Sequence, residues 1–173
     1  ITDEIKSRVL IGAQDADIAI VEIGGTVGDI ESLPFFEAVR QAKQDLKRHD
    51  FLSIHLTLIP YLSASGELKT KPTQHSVQEL RKIGIHPDII LARSSTELVK
   101  STIDKISLFA NVPKTHVISL PDVKNIYSVP ENLKKHDFHS VIAQCLGLDI
   151  VENQEGWKQW NAIVKPFEYE KQK

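Results

Sequence analysis

The sequence predicts an α/β protein with three layers, in which helices flank a mostly parallel sheet on both faces. Two observations support this class. Four short apolar runs, rich in isoleucine, leucine and valine, recur along the 173 residues, and segments with helical spacing of apolar residues separate them. The runs also have almost no polar face, which is typical of parallel strands that helices cover on both sides.

Each element has its own signals. The apolar runs predict strands over residues 17–23, 51–59, 88–92 and 115–120. Helical spacing predicts helices over residues 2–10, 31–47, 73–82, 97–109, 131–135, 138–146 and 155–164. Thr2 and Thr73 are expected to cap their helices. Pro60 is expected to end the second strand, and Gly84 the third helix.

Composition excludes several classes of protein. Hydrophobic residues make up 41% and charged residues 25% of the chain, and the net charge of -2 gives no bulk attraction to nucleic acid or an anionic membrane. No apolar run is long enough to span a bilayer. Cys145 is the single cysteine, so an internal disulfide is excluded and a reducing, cytoplasmic location is expected.

The chain contains no methionine, not even at position 1, and opens directly into a predicted helix. We therefore expect a fragment of a longer protein. The alternative is a natural start that has been trimmed by a few residues.

Glu22 ends the first apolar run, and two glycines follow it. In open parallel sheets ligands bind beyond the carboxyl ends of the strands. A carboxylate there is suited to hold a nucleotide-bound magnesium ion, and Gly24 and Gly25 would let a ligand approach the backbone. The alternative is an acid that simply meets solvent or a lysine. The chain has no GxxxxGK[ST] phosphate loop to support the first reading.

The next acids lie in Gly28-Asp29-Ile30-Glu31. Locally, Asp29 fits a helix cap and Glu31 complements the helix dipole. The functional alternative is that both carboxylates accept hydrogen bonds from a ligand, such as sugar hydroxyls or a base amino group.

A third candidate site lies in the stretch GELKTKPTQHS. Lys69 and Lys71 precede a predicted helix, and Thr73 and Gln74 lie in its first turn. Backbone N–H groups, the helix dipole and two ammonium groups would converge there on an anion such as a polyphosphate. The alternative is a solvated surface loop.

Three long motifs carry a resemblance to a known family. The stretches VEIGGTVGDIESLPFFEAVRQ, IHLTLIPYLSASGELKTKPTQHSVQELRKIGIHPDIILARS and ISLFANVPKTHVISLPDVKNIYSVP together resemble the synthetase (amidoligase) domain of the CTP synthase family. The resemblance implies a P-loop NTPase-like fold, similar to dethiobiotin synthetase. It also implies a ligase that converts UTP to CTP: ATP phosphorylates the uracil oxygen, and ammonia then displaces phosphate. The ammonia comes from glutamine in a separate glutaminase domain.

The resemblance also implies roles for particular residues. Glu22 matches a ligand of the magnesium ion that accompanies ATP. The segment that contacts inhibitory CTP is matched by Asp29, Ile30 and Glu31. The segment that contacts UTP, or CTP in its place, is matched by Lys69, Thr70, Lys71, Pro72, Thr73, Gln74 and Lys105. The segment near the ATP adenine is matched by Pro121, Asp122 and Val123. The family commonly has a lysine where this chain has Pro121, so a side-chain contact there is in doubt.

The family resemblance divides the chain into a partial amidoligase domain, residues 1–165, and the start of a linker toward a glutaminase domain, residues 166–173. It implies a cytoplasmic homotetramer whose pyrimidine site lies at subunit contacts, and no synthetase activity for this chain alone. Two alternatives stay open: another P-loop-like ATP-dependent ligase, and a non-catalytic nucleotide-sensing module.

Overall fold

The computed structural model describes residues 1–169. The helices are α1 (Thr2–Ala13), α2 (Leu33–Asp45), α3 (Lys71–Lys82), α4 (Lys100–Ala110), α5 (Val129–Lys135), α6 (Phe138–Leu146) and α7 (Gln154–Tyr169). The strands are β1 (Ile54–Ile59), β2 (Tyr61–Leu62), β3 (Glu67–Leu68), β4 (Ile89–Ser94) and β5 (Val117–Pro121). Short 3₁₀ turns cover Ile30–Ser32, Lys114–His116 and Ile126–Ser128. Among these elements, no helix is long and apolar enough to cross a membrane.

The main sheet has three parallel strands in the order β1-β4-β5. The register pairs Ile59 of β1 with Ser94 of β4, and Ser94 with Pro121 of β5. The carboxyl ends of all three strands therefore lie along one edge of the sheet. Arg93 near the end of β4 meets Asp122 after β5 at this edge. Glu22, which was expected to follow the first strand, follows no strand of this sheet.

Helices pack on both faces of this sheet, which confirms the three-layer α/β prediction. On one face, Ile59, Ile90 and Ala92 form a core with Val77 of α3 and Ile106 of α4. The other face has its own core, formed by Ile89, Ile118 and Val141 with partly buried residues of α5 and α6. Because successive strand residues point to opposite faces, β4 and β5 supply both cores, whereas β1 buries only the face toward α3 and leaves Leu56 and Leu58 exposed.

The predicted strand over residues 17–23 is wrong. These residues have no strand partner among the described residues, and Ile20 is 94% exposed. A strand needs a neighbour for its N–H and C=O groups, and apolar composition alone cannot provide one. Ile23 is the one residue of this segment that is half-buried, because it packs with Val27 against a core of Phe36, Leu80 and Ile85.

Several boundaries also differ from the sequence prediction. Helix α3 begins two residues before Thr73, because Pro72 fits an initial helical position and Thr70 becomes the residue before the helix. Neither Thr2 nor Thr73 caps a helix, since α1 begins at Thr2 with Ile1 before it. Helix α7 continues through residues 165–169, beyond its predicted end at residue 164, and residues 170–173 lie outside the described part.

Candidate functional site

A carboxylate just beyond the carboxyl end of β1 pairs with one lysine and lies within electrostatic range of a second. The antiparallel β2–β3 hairpin follows this strand, and the Lys69 N–H donates to the Pro60 carbonyl at 2.9 Å, which closes the hairpin. The Lys69 ammonium donates to the carboxylate of Glu67. This hydrogen bond is the main reason why the pKa of Glu67 is lowered, and the charge of Lys105 on α4 contributes further. The structure therefore brings Lys69 and Lys105 into electrostatic range of one acid.

The first turn of α3 continues this cluster, but only part of it faces solvent. Lys71 and Pro72 are exposed, whereas Thr70 is 5% exposed. The half-buried Gln74 donates from Nε2 to Thr70 Oγ1 at 2.9 Å, and its backbone N–H donates to the Thr70 carbonyl at 3.0 Å. The available groups are therefore three lysines, one amide and the free N–H groups of the helix start, which suits an anion.

Thr73 lies in the same turn with its side chain facing the sheet. It is 1% exposed, and its hydroxyl accepts from Thr57 Oγ1 at 3.1 Å. The threonine hydroxyl is therefore used inside the protein, and the residue offers almost no surface to a ligand.

The glycine-rich loop before α2 is held by its own acid. Asp29 Oδ2 accepts from the Thr26 N–H at 2.7 Å, and Ser32 Oγ donates to the Gly24 carbonyl at 3.2 Å. The expected cap by Asp29 on the following helical turn is absent among the described contacts. Gly25 adopts φ +88°, and a Cβ there would lie 2.9 Å from Asp29 Oδ2. The loop therefore requires glycine at this position.

The glycine-rich loop before α2 and the lysine cluster (Lys69, Lys71 and Lys105) lie at opposite ends of α3. The loop packs through Ile23 and Val27 against Leu80 and Ile85, in and after the last turn of the helix. Lys71 opens the first turn, about 14 Å from Leu80 along the helix axis at 1.5 Å per residue. Within the described residues, no hydrogen bond or ion pair links residues 29–31 to residues 69–74.

Glu22 and Glu31 are both exposed, and so is Ile30. In the part of the chain that the structure describes, Glu22 has no ion pair, and no group of three or more His, Cys, Asp or Glu side chains could hold a metal. Magnesium is commonly bound through only one or two carboxylates together with substrate phosphates. Glu22 therefore fits one protein ligand of a phosphate-bound ion, and not a complete metal site.

The segment of residues 121–123 begins with the last residue of β5 and continues beyond it. The Asp122 N–H donates to the Ser94 carbonyl at 2.8 Å, and its carboxylate accepts from Arg93 Nε at 2.8 Å. Pro121 ends an edge strand, where a residue without an N–H is tolerated. It offers its carbonyl but no backbone donor, and Val123 is half-buried beside it.

Sequence reasoning missed two charged residues at these sites. Glu67 lies two residues before Lys69, a spacing that places both side chains on one face of an extended segment. Arg93 lies near the carboxyl end of β4, directly beside the loop that carries Asp122. The rule that ligands bind beyond the carboxyl ends of strands points to Arg93, because Arg93 directly follows the predicted end of the third strand at residue 92.

Comparison with known proteins gives the family of this chain. The family described as CTP synthase N-terminus matches residues 1–148. A CTP synthase of Hydrogenobaculum sp. (strain Y04AAS1) is 52% identical over 170 residues, which is 98% of this chain. The chain belongs to the CTP synthase N-terminus family. It spans 31% of the length of this relative.

Proposed function

We propose that this chain is the pyrimidine-nucleotide-binding part of a CTP synthase amidoligase domain. The complete enzyme would convert UTP to CTP with ATP and with ammonia released from glutamine by a glutaminase domain. The observation that carries the proposal is the position of Lys69, which pairs with Glu67, beside the exposed Lys71 at the start of α3. Ammonium groups and helix N–H groups together form a site for the triphosphate of UTP or of inhibitory CTP.

The recognition of the triphosphate follows from these groups. Lys69 and Lys105 would neutralise phosphate oxygens, while Thr70 and Gln74 keep the first turn in place through their hydrogen bond. Lys71 and Pro72 are exposed at the same turn, whereas the buried Thr73 would support that turn from inside through its hydrogen bond to Thr57. A nucleotide would compete with Glu67 for the Lys69 ammonium.

The pyrimidine-specific part of the site would lie on a different surface. We propose that Asp29, Ile30 and Glu31 contact the CTP of a neighbouring subunit in a homotetramer. The proposal is supported by their position at the far end of α3 from the lysines, because no hydrogen bond or ion pair among the described residues links residues 29–31 to residues 69–74. Asp29 keeps one carboxylate oxygen beyond its bond to Thr26.

The ATP part of the site would be incomplete in this chain. Glu22 would hold magnesium on the ATP phosphates, where the ion neutralises charge that develops during phosphoryl transfer. Asp122, fixed by Arg93, would lie with Pro121 and Val123 near the adenine. Because the chain contains no phosphate loop, we propose that it has no synthetase activity alone. Conversion of UTP and ammonia to CTP by this chain would refute that proposal. A cytoplasmic location is proposed with the same function.

Calorimetric titration of the chain with CTP, UTP, ATP and GTP tests the binding function. We expect CTP and UTP to bind and to compete with one another. Equal affinity for all four nucleotides, or no binding of CTP and UTP, would overturn it.

A further inference from the structure

The contact between β1 and the first part of α3 is polar. We call the four residues His55, Thr57, Thr73 and Ser76 the β1–α3 seam. His55 is 7%, Thr57 9% and Thr73 1% exposed. His55 Nε2 lies 2.9 Å from Ser76 Oγ. Strand positions that face a helix are usually apolar, so this concentration of buried hydroxyl and imidazole groups calls for a physical reason.

The two threonines of the seam form a directed chain of hydrogen bonds. Thr57 Oγ1 donates to Thr73 Oγ1 at 3.1 Å, and Thr73 Oγ1 donates to the Leu58 carbonyl at 3.4 Å. A hydroxyl has one proton to donate, so Thr73 can complete the chain to Leu58 while it accepts from Thr57. Loss of the Thr57 hydroxyl would leave Thr73 with one fewer partner in a place that water does not reach.

The hydrogen bonds of the two threonines act on one particular part of α3. Farther along the helix, Val77 and Leu80 make apolar contacts, which set no exact rotation or height because dispersion forces lack direction. Hydrogen bonds between hydroxyl groups do have preferred lengths and angles. The threonines therefore fix the turn that carries Lys71 and Gln74. The next directional contact of α3 with β1 is that of Ser76 with His55, beyond this turn.

We propose that Thr57 is a positioning residue for the nucleotide site: through Thr73 it holds the first turn of α3 where Lys71 and Gln74 can meet a triphosphate. The role in binding rests on the proposed function. The positional role can be measured without any nucleotide.

The test compares Thr57→Val, which keeps the shape but loses the hydroxyl, with Thr57→Ser, which keeps the hydroxyl. Ile118→Val, in the core on the opposite face, controls for a general loss of stability. CTP affinity is measured by calorimetry. Amide hydrogen exchange is measured at Gln74 in the first turn of α3 and at Arg81 in the last.

We expect Thr57→Val to weaken CTP binding by about five-fold or more, and to speed exchange at Gln74 relative to Arg81. Thr57→Ser should keep the CTP affinity and the exchange rate of the unaltered chain. Ile118→Val should change neither the CTP affinity nor the exchange at Gln74 relative to Arg81. Unchanged exchange at Gln74 in Thr57→Val would overturn the positional role. If the unaltered chain does not bind CTP, the proposed function fails, and the exchange data alone decide the role of Thr57.

Discussion

Lys69 donates a hydrogen bond to Glu67 at the end of the β2–β3 hairpin, so the ammonium group proposed to bind phosphate already has a carboxylate partner. Both side chains are about half exposed, with relative exposures of 41% and 54%. The pair is therefore accessible to a competing anion. A triphosphate would have to displace Glu67, and its carboxylate would repel the phosphates that replace it.

Replacement of Glu67 by Gln should strengthen CTP binding. The variant removes a competing negative charge and leaves Lys69 free, so we expect an increase in affinity of about two- to five-fold at low salt, and less at high salt. Titration calorimetry at two salt concentrations measures both effects. Glu79→Gln is the matched control, because Glu79 pairs with Lys82 at the other end of α3. Weaker binding by Glu67→Gln would mean that the acid supports the site.

Replacement of Lys69 by Ala should weaken CTP binding by roughly 1.5–3 kcal/mol, the range for a lost hydrogen bond to a charged group. Lys82→Ala removes an equal charge from the last turn of α3 and should have little effect. Both dissociation constants are measured under the same conditions. An unchanged value for Lys69→Ala would refute its role in phosphate binding.

Replacement of Gly25 by Ala should destabilise the protein by about 1–2 kcal/mol, because φ +88° is unfavourable for a residue with a Cβ. The new methyl group would also lie against Asp29 and disturb its bond to Thr26. Gly24→Ala is the control, since its Cβ would meet no atom within 4 Å. Denaturant unfolding of both variants gives the comparison. Equal stabilities would show that the glycine loop tolerates a side chain at either position.

Buried His55 should make stability depend on pH. Burial lowers its pKa below the ordinary value of about 6.5. Below that value the unfolded chain binds a proton that the folded protein resists, so the free energy of unfolding should fall as the pH decreases toward the folded pKa. Above the ordinary pKa value, the contribution of His55 to the free energy of unfolding no longer changes with pH.

Unfolding of the parent protein and His55→Gln between about pH 7.5 and about pH 5.5 measures this effect. The variant should lose less stability than the parent over this range. His86 is exposed, so His86→Gln should behave like the parent. An equal loss in His55→Gln and the parent would exclude a contribution from His55.

The α/β class, the order of the helices and of the three strands of the main sheet, and the bounds of α6 could all be predicted from the sequence. These features depend on local spacing of apolar residues, which the chain carries within each segment. Prediction was least accurate where an element depended on a partner. Residues 17–23 have the composition of a strand, yet no described residue pairs with them.

For the candidate site too, some features follow from the sequence and others only from the tertiary structure. The sequence alone determined which segments carry acids, lysines and glycines, because those residue types and their spacing are local properties. Only the tertiary structure decided that Asp29 turns back to Thr26, that Thr73 faces Thr57, and that Lys69 meets Glu67. The physical reason is that a hydrogen bond has a length and a direction, and the packing of α2 and α3 decides which donors and acceptors reach one another.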